Sequence, residues 1–125
     1  MAQPTVLFLS KDIFFAPVVK QAVESAGARY LAAGSVAASI DRVADAPVAA
    51  AIVDLTPHTV ESIRLISDEL NDSYPDAVRI AFGPHVNTEL FAAAEQAGFA
   101  HVLAKGAVAA VLPKLLAQLA LDDHE

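Results

Sequence analysis

Hydrophobic positions fall into short uncharged runs that alternate with segments of helical spacing. Thr5-Val6-Leu7-Phe8-Leu9 and Val48-Ala49-Ala50-Ala51-Ile52-Val53 carry no charge along their length. Runs of this length, unbroken rather than alternating with polar residues, suit strands buried on both faces of a sheet. Arg29 to Ala32, Val78 to Phe82 and Ala100 to Ala104 read as three further short strands. The second long run ends on Asp54 and is followed by Thr56-Pro57. That pair predicts a helix start, with Thr56 as N-cap and Pro57 at the first helical position.

Between the strands the spacing turns helical. Ile13 to Ala26 places Phe15, Val18, Val19, Ala22, Val23 and Ala26 on one side, and Gly27 supplies the residue just past the end. Pro17 delays the regular part of that helix to about Phe14–Ala16. A second helix is expected over Val36 to Ala44, opened by Gly34-Ser35, and a third from Pro57 to about Asn71. The turn formers of Asn71 to Asp76 end the third. Asn87 caps a fourth helix over Thr88 to Ala97, which Gly98 stops. The last helix spans Val108 to Leu121, and Pro113 predicts that its regular part starts only near Leu112. Residues 122–125 read as a frayed acidic tail. Five strands alternating with five helices imply a single α/β domain over residues 1–125. It is a three-layer (βα)5 sandwich of the flavodoxin-like class, with a parallel five-stranded sheet of order 2-1-3-4-5.

Composition narrows the functions. The chain has 125 residues and is 55% hydrophobic, enough for a sizeable core in one domain. Eight Lys and Arg against fifteen Asp and Glu give a formal net charge of −7, with no basic patch. Nucleic acid is therefore not an expected partner, and neither is an anionic membrane surface. Cysteine is absent, so there is no disulfide framework and no thiolate zinc site. No signal peptide or membrane span is apparent, and a cytoplasmic location is expected.

At this point the chain resembles the receiver domain of bacterial response regulators, over nearly its whole length. Asp54 ends the third strand, where that family carries its phospho-accepting aspartate. Glu95 to Lys105 is similar to the family's fourth-helix exit and fifth strand, which ends in the active-site lysine. Leu9-Ser10-Lys11-Asp12 takes the place of the first-strand exit with its acidic pair. The resemblance implies a signalling protein whose only chemistry is phosphoryl acceptance on Asp54, assisted by Lys105 and Mg²⁺.

The departures from the family pattern shape the functional expectation. Ser10 and Lys11 fall on the two acidic positions, and Asp12 falls one residue late. Gly83 stands where the family has a switch Thr or Ser, and Val102 where it has a switch aromatic. Gly106 replaces the proline after the lysine. Mg²⁺ requires hard oxygen ligands. Lys11 in place of a carboxylate swings the local charge by about two units, and one unit-charge interaction at ~4 Å is about 4 kcal/mol at an effective dielectric of 20. Lys11 directed inward would occupy the metal's place and pair with Asp54, with help from Lys105. Asp12 is either a displaced metal ligand or the cap of the first helix, and Asp54 is either a phospho-acceptor or a structural carboxylate bonded to backbone N–H groups and paired with Lys105 or Lys11.

These residues lead to a stand-alone pseudo-receiver that acts through protein contacts, with no cofactor. The alternative is a divergent phosphorylatable receiver, in which case Mg²⁺ is needed. A small-ligand or metal-binding flavodoxin-like protein is a weaker third reading. It would draw on His58 and His85 beside Asp12 and Asp54, although no ligand spacing supports it and no phosphate-loop motif is present. The expected partner is a histidine kinase or another regulatory protein. The fourth helix, fifth strand and fifth helix, with Phe91, Ala94, Val102, Val111 and Leu115, form the candidate surface for a weak homodimer. Of Phe14 and Phe15, helical spacing buries one; the other either covers the Asp54 pocket or stays exposed.

Overall fold

The computed structural model describes residues 3–10, 14–44 and 46–122, with residues 120–122 described by backbone alone. The elements run β1 (Thr5–Leu9), α1 (Ala16–Ser25), β2 (Arg29–Ala33), α2 (Val36–Val43), β3 (Val48–Asp54), α3 (Val60–Ser73), β4 (Val78–Gly83), α4 (Thr88–Gln96), β5 (His101–Ala104) and α5 (Val108–Asp122). A 3-10 turn, Lys105–Ala107, joins β5 to α5. The sheet is parallel throughout and its order is β2-β1-β3-β4-β5, as the alternation of elements predicts.

The uncharged runs are buried on both faces because each strand side feeds a separate helical layer. Leu7, Leu9, Ala51, Val53 and Ala81 pack with Val36 and Val43 of α2, Ile63, Ile66 and Leu70 of α3, and Leu90 of α4. Val6, Phe8, Ala50, Ile52, Ile80 and Phe82 pack on the other side with Val19 and Val23 of α1 and Val108, Leu112 and Leu116 of α5. Adjacent side chains of a strand point to opposite faces, so this parity carries each strand's last residue to a defined layer. Removing a large side chain of this kind from water contributes about 1.5–3 kcal/mol.

Several boundaries differ from the expectation, and three of them bear on the argument. Helix α3 starts at Val60, not Pro57. Thr59 accepts from the Ser62 N–H at 3.2 Å, and the Ser62 hydroxyl accepts from the Thr59 N–H at 2.8 Å. This reciprocal box satisfies two backbone donors at once and outcompetes a start at Thr56-Pro57. Helix α5 is continuous from Val108, with Pro113 inside it. The proline removes one N–H, and the preceding 3-10 turn and apolar face carry the helix through. The acidic tail was expected from residue 122, but Asp122 is still helical; residues 123–125 lie outside the described residues. Among the described residues, no helix is long and apolar enough to cross a membrane.

Candidate functional site

The C-terminal edge of the sheet gathers the chemistry-bearing residues. Asp54 is the last residue of β3 and is 2% exposed. It follows Ala50 and Ile52 in parity, which puts it on the α1/α5 side. Its Oδ1 accepts a hydrogen bond from the Thr56 N–H at 2.9 Å. The carboxylate thereby turns the chain out of the sheet, while the Leu55 N–H continues the ladder to the Phe82 carbonyl at 2.8 Å. Thr56-Pro57 thus belongs to this turn and not to the helix.

Lys105 opens the 3-10 turn after β5 and is half-buried. It was expected to pair with Asp54. Instead its ammonium lies over the Phe15 ring, 5.3 Å from the centroid, and among the described residues no ion pair joins it to Asp54. Phe15 is held by Phe82, at 4.9 Å between centroids, and Phe82 stacks on Phe8 at 6.0 Å. Phe14 is 89% exposed. The two phenylalanines therefore divide as spacing predicts, Phe15 to the core and Phe14 to the surface. Ser10, half-buried, ends β1's exit. Lys11 and Asp12 lie outside the described residues.

Gly83 ends β4 and is buried, and a side chain there would need Leu55 to give by a few tenths of an ångström. A Cβ built on it would lie 3.3 Å from the Leu55 Cβ and 3.5 Å from Phe91 Cε1. Val102 and Phe91 pack against the core on the α3/α4 side. Ala94, expected on an association surface, is fully buried there. That correction leaves Phe91, Val102, Val111 and Leu115, all half-buried, at the α4–β5–α5 face.

Among the described residues, His58 and His85 belong to no metal-holding cluster. His58 Nδ1 is 2.9 Å from the Ser62 hydroxyl, beside the α3 cap. Burial pushes its pKa below the usual histidine value, and the Asp54 charge opposes that shift in part. His85 is exposed, in the loop between β4 and α4. An open cleft between the first turns of α3 and α4 is lined by His58, Thr59, Glu61, Asn87, Glu89 and Leu90, among others. Among the described residues, no three His, Asp or Glu side chains could hold a metal ion. One oxygen of Asp54 is committed to the Thr56 N–H, and the candidate ligand Asp12 lies outside the described residues.

Sequence patterning missed two polar constellations. Ser39, fully buried in α2, donates to the Val36 carbonyl at 2.6 Å and lies 2.7 Å from the Tyr74 hydroxyl. Arg79 of β4 donates to the Ser67 hydroxyl at 2.6 Å, the Ala97 carbonyl at 3.3 Å and the Asn71 side-chain oxygen at 3.3 Å. Both join residues far apart in the chain. A buried Ser inside an apolar helix face and an Arg within a core strand were the available signals.

Fold and site together define a doubly wound flavodoxin-like protein with a buried carboxylate at the carboxyl end of its central strand. Within that class it has the receiver fold of response regulators. A CheY-like protein (tadZ) from Pseudomonas aeruginosa superposes with a TM-score of 0.77 at 19% identity, over 93% of this chain and 98% of that one. A response regulator from Thermotoga maritima gives 0.73 at 17% identity, over 95% and 98% of the two chains. A pilus assembly-related protein from Burkholderia pseudomallei gives 0.74 at 16% identity, over 95% and 90%. No protein-family model matches the chain, and no curated protein matches it in sequence.

Proposed function

We propose that this chain is a pseudo-receiver: a regulatory module that works through protein contacts and does not use Mg²⁺-dependent phosphoryl transfer. The observation that carries the reading is the packing at Gly83. A receiver that reports phosphorylation needs a hydroxyl beside the aspartate and room for it to move. Here Leu55 and Phe91 close that space to within 3.3 and 3.5 Å of where a Cβ would sit. The sequence adds Lys11 at a position that the receiver pattern gives to a metal-binding acid. Lys105, the cation that would meet a phosphoryl group, rests on Phe15.

The fold occurs both in response regulators and in proteins named for pilus assembly, so a role in assembly or regulation by contact is in keeping with it. A cytoplasmic regulatory protein or histidine kinase is the proposed partner. The α4–β5–α5 face is the proposed site of weak self-association, tested by sedimentation over a range of concentrations. The second reading, a divergent receiver that accepts a phosphoryl group on Asp54, is favoured by one observation. The carboxylate stands at the carboxyl end of β3, with Lys105 just beyond the end of β5.

Titration with beryllium fluoride and Mg²⁺, followed by amide resonances, separates the two. The pseudo-receiver reading expects no specific shifts at residues 53–56 or 83. Saturable shifts there would overturn it in favour of phosphoryl acceptance, with Mg²⁺ then a required cofactor. Lys11→Asp in the same titration tests the charge argument, since it should gain a Mg²⁺ response that the native chain lacks.

A further inference from the structure

We infer that Phe15 is a positioning residue for Lys105: its ring holds the ammonium at rest and keeps it from engaging Asp54. A lysine at this edge has two competing seats. One is the Asp54 carboxylate at the end of β3, which lies across β4 from the end of β5. The other is the π face of Phe15, whose negative quadrupole attracts a cation within about 6 Å of the ring centroid. The observed separation is 5.3 Å, and among the described residues the carboxylate's hydrogen-bond donor is the Thr56 N–H.

The aromatic seat is built, not incidental. Phe15 is the N-cap residue of α1, and its side chain makes no capping hydrogen bond. Its ring is fixed instead by Phe82, 4.9 Å away, and Phe82 is itself 1% exposed and stacked on Phe8. Three rings from α1's start, β4 and β1 thus form a rigid support that ends in a face directed at Lys105. On the opposite side, Lys105 begins the 3-10 turn that leads into α5. The contact therefore ties the start of α1 to the start of α5 and parks a positive charge there. A cation parked on a ring is neither consumed by Asp54 nor released to solvent. The inference concerns the resting seat of Lys105, so it stands or falls separately from whether Asp54 accepts a phosphoryl group.

Aliphatic proton shifts of Lys105 test this on the full chain, because protons above a ring face move upfield. Exposed Lys20 and Lys114 serve as internal references. The Lys105 ε-protons should lie upfield of both and show cross-relaxation with the Phe15 ring protons. Phe15→Leu should return them to the reference position, and Phe15→Tyr should keep the upfield shift. Asp54→Asn should leave them in place in the native background but move them in the Phe15→Leu background, where the lysine is free to reach the carboxylate. If Phe15→Leu does not fold, the native spectrum, Phe15→Tyr and Asp54→Asn still decide. Lys105 ε-protons that coincide with the references, or that move on Asp54→Asn alone, would overturn the inference. A beryllium fluoride response near Asp54 would count against the pseudo-receiver reading and leave the seat of Lys105 to be judged by these shifts.

Discussion

Gly83→Thr restores the hydroxyl of a switching receiver, and it should destabilise this protein. Two terms favour the change: β-propensity is worth up to about 1 kcal/mol, and losing the freedom of an unfolded glycine adds about 0.4–1 kcal/mol. Against them stands the space available. The new Cβ would meet the Leu55 Cβ at 3.3 Å, Phe91 Cε1 at 3.5 Å and Leu55 Cδ1 at 3.8 Å. The Leu55 Cβ is fixed by its backbone, which bonds the Phe82 carbonyl, so it cannot retreat by rotating. Overpacking of this kind costs about 1–3 kcal/mol, and a threonine adds two heavy atoms beyond the Cβ, one a hydroxyl whose burial without a partner costs about 1–3 kcal/mol. The net expectation is a loss of about 2 kcal/mol, with Gly83→Ala within about 1 kcal/mol of neutral. Urea unfolding measures it: at a slope of about 1.5 kcal/mol per molar, 2 kcal/mol lowers the midpoint by about 1.3 M with the slope unchanged. Phe91 can yield where Leu55 cannot, so Phe91→Leu should couple favourably with Gly83→Thr by about 0.5 kcal/mol or more in a double-mutant cycle. A Gly83→Thr protein as stable as the native one would show that the strand end opens readily, and the packing argument for a silent switch would fail.

Other consequences can be checked as directly. His58 has its pKa depressed in the folded state, chiefly by burial, so the unfolded chain binds more protons near the usual histidine pKa. Stability should therefore fall as pH drops from about 6.5, and His58→Gln should remove that component of the pH profile in urea melts. The Thr5 hydroxyl is buried and meets no hydrogen-bonding partner among the described residues, so Thr5→Val should raise stability by about 1 kcal/mol; a loss would reveal a partner for the hydroxyl. Asp54→Asn keeps an oxygen for the Thr56 N–H, and Gly83 and Val102 offer no relay. Amide shifts should stay near residues 53–56, and large changes at His101 to Leu103 would contradict this.

The strand order was legible because strands alternate with helices along the chain, a pattern that implies a parallel, doubly wound sheet. Helix starts were less legible where two polar residues compete. Thr56-Pro57 and Thr59 both look like caps, and only the reciprocal bonds of Thr59 with Ser62, and the use of Thr56's N–H by Asp54, settle the choice. At the site, the position of Asp54 was readable because it follows from the strand's end. The seat of Lys105 was not, since it depends on Phe15, some ninety residues earlier, arriving with its ring aligned. Separation in sequence also hid the bond between Ser39 and Tyr74, 35 residues apart, and the contacts that Arg79 makes with other elements.

Those Arg79 contacts have a bearing on how the two ends of the sheet respond to solution conditions. The hydroxyl, carbonyl and amide that receive the guanidinium do not titrate. The clamp therefore holds the far ends of α3 and α4 to the beginning of β4 with the same force in acid as at neutrality. It is also little affected by added salt, because among the described residues the guanidinium has no ionic partner to be screened. The opposite edge carries His58, whose pKa burial pushes below the usual histidine value. Acidification should accordingly loosen the molecule from one end only, and amide exchange should quicken first around residues 54–60 while the turn from Asn71 to Arg79 stays protected.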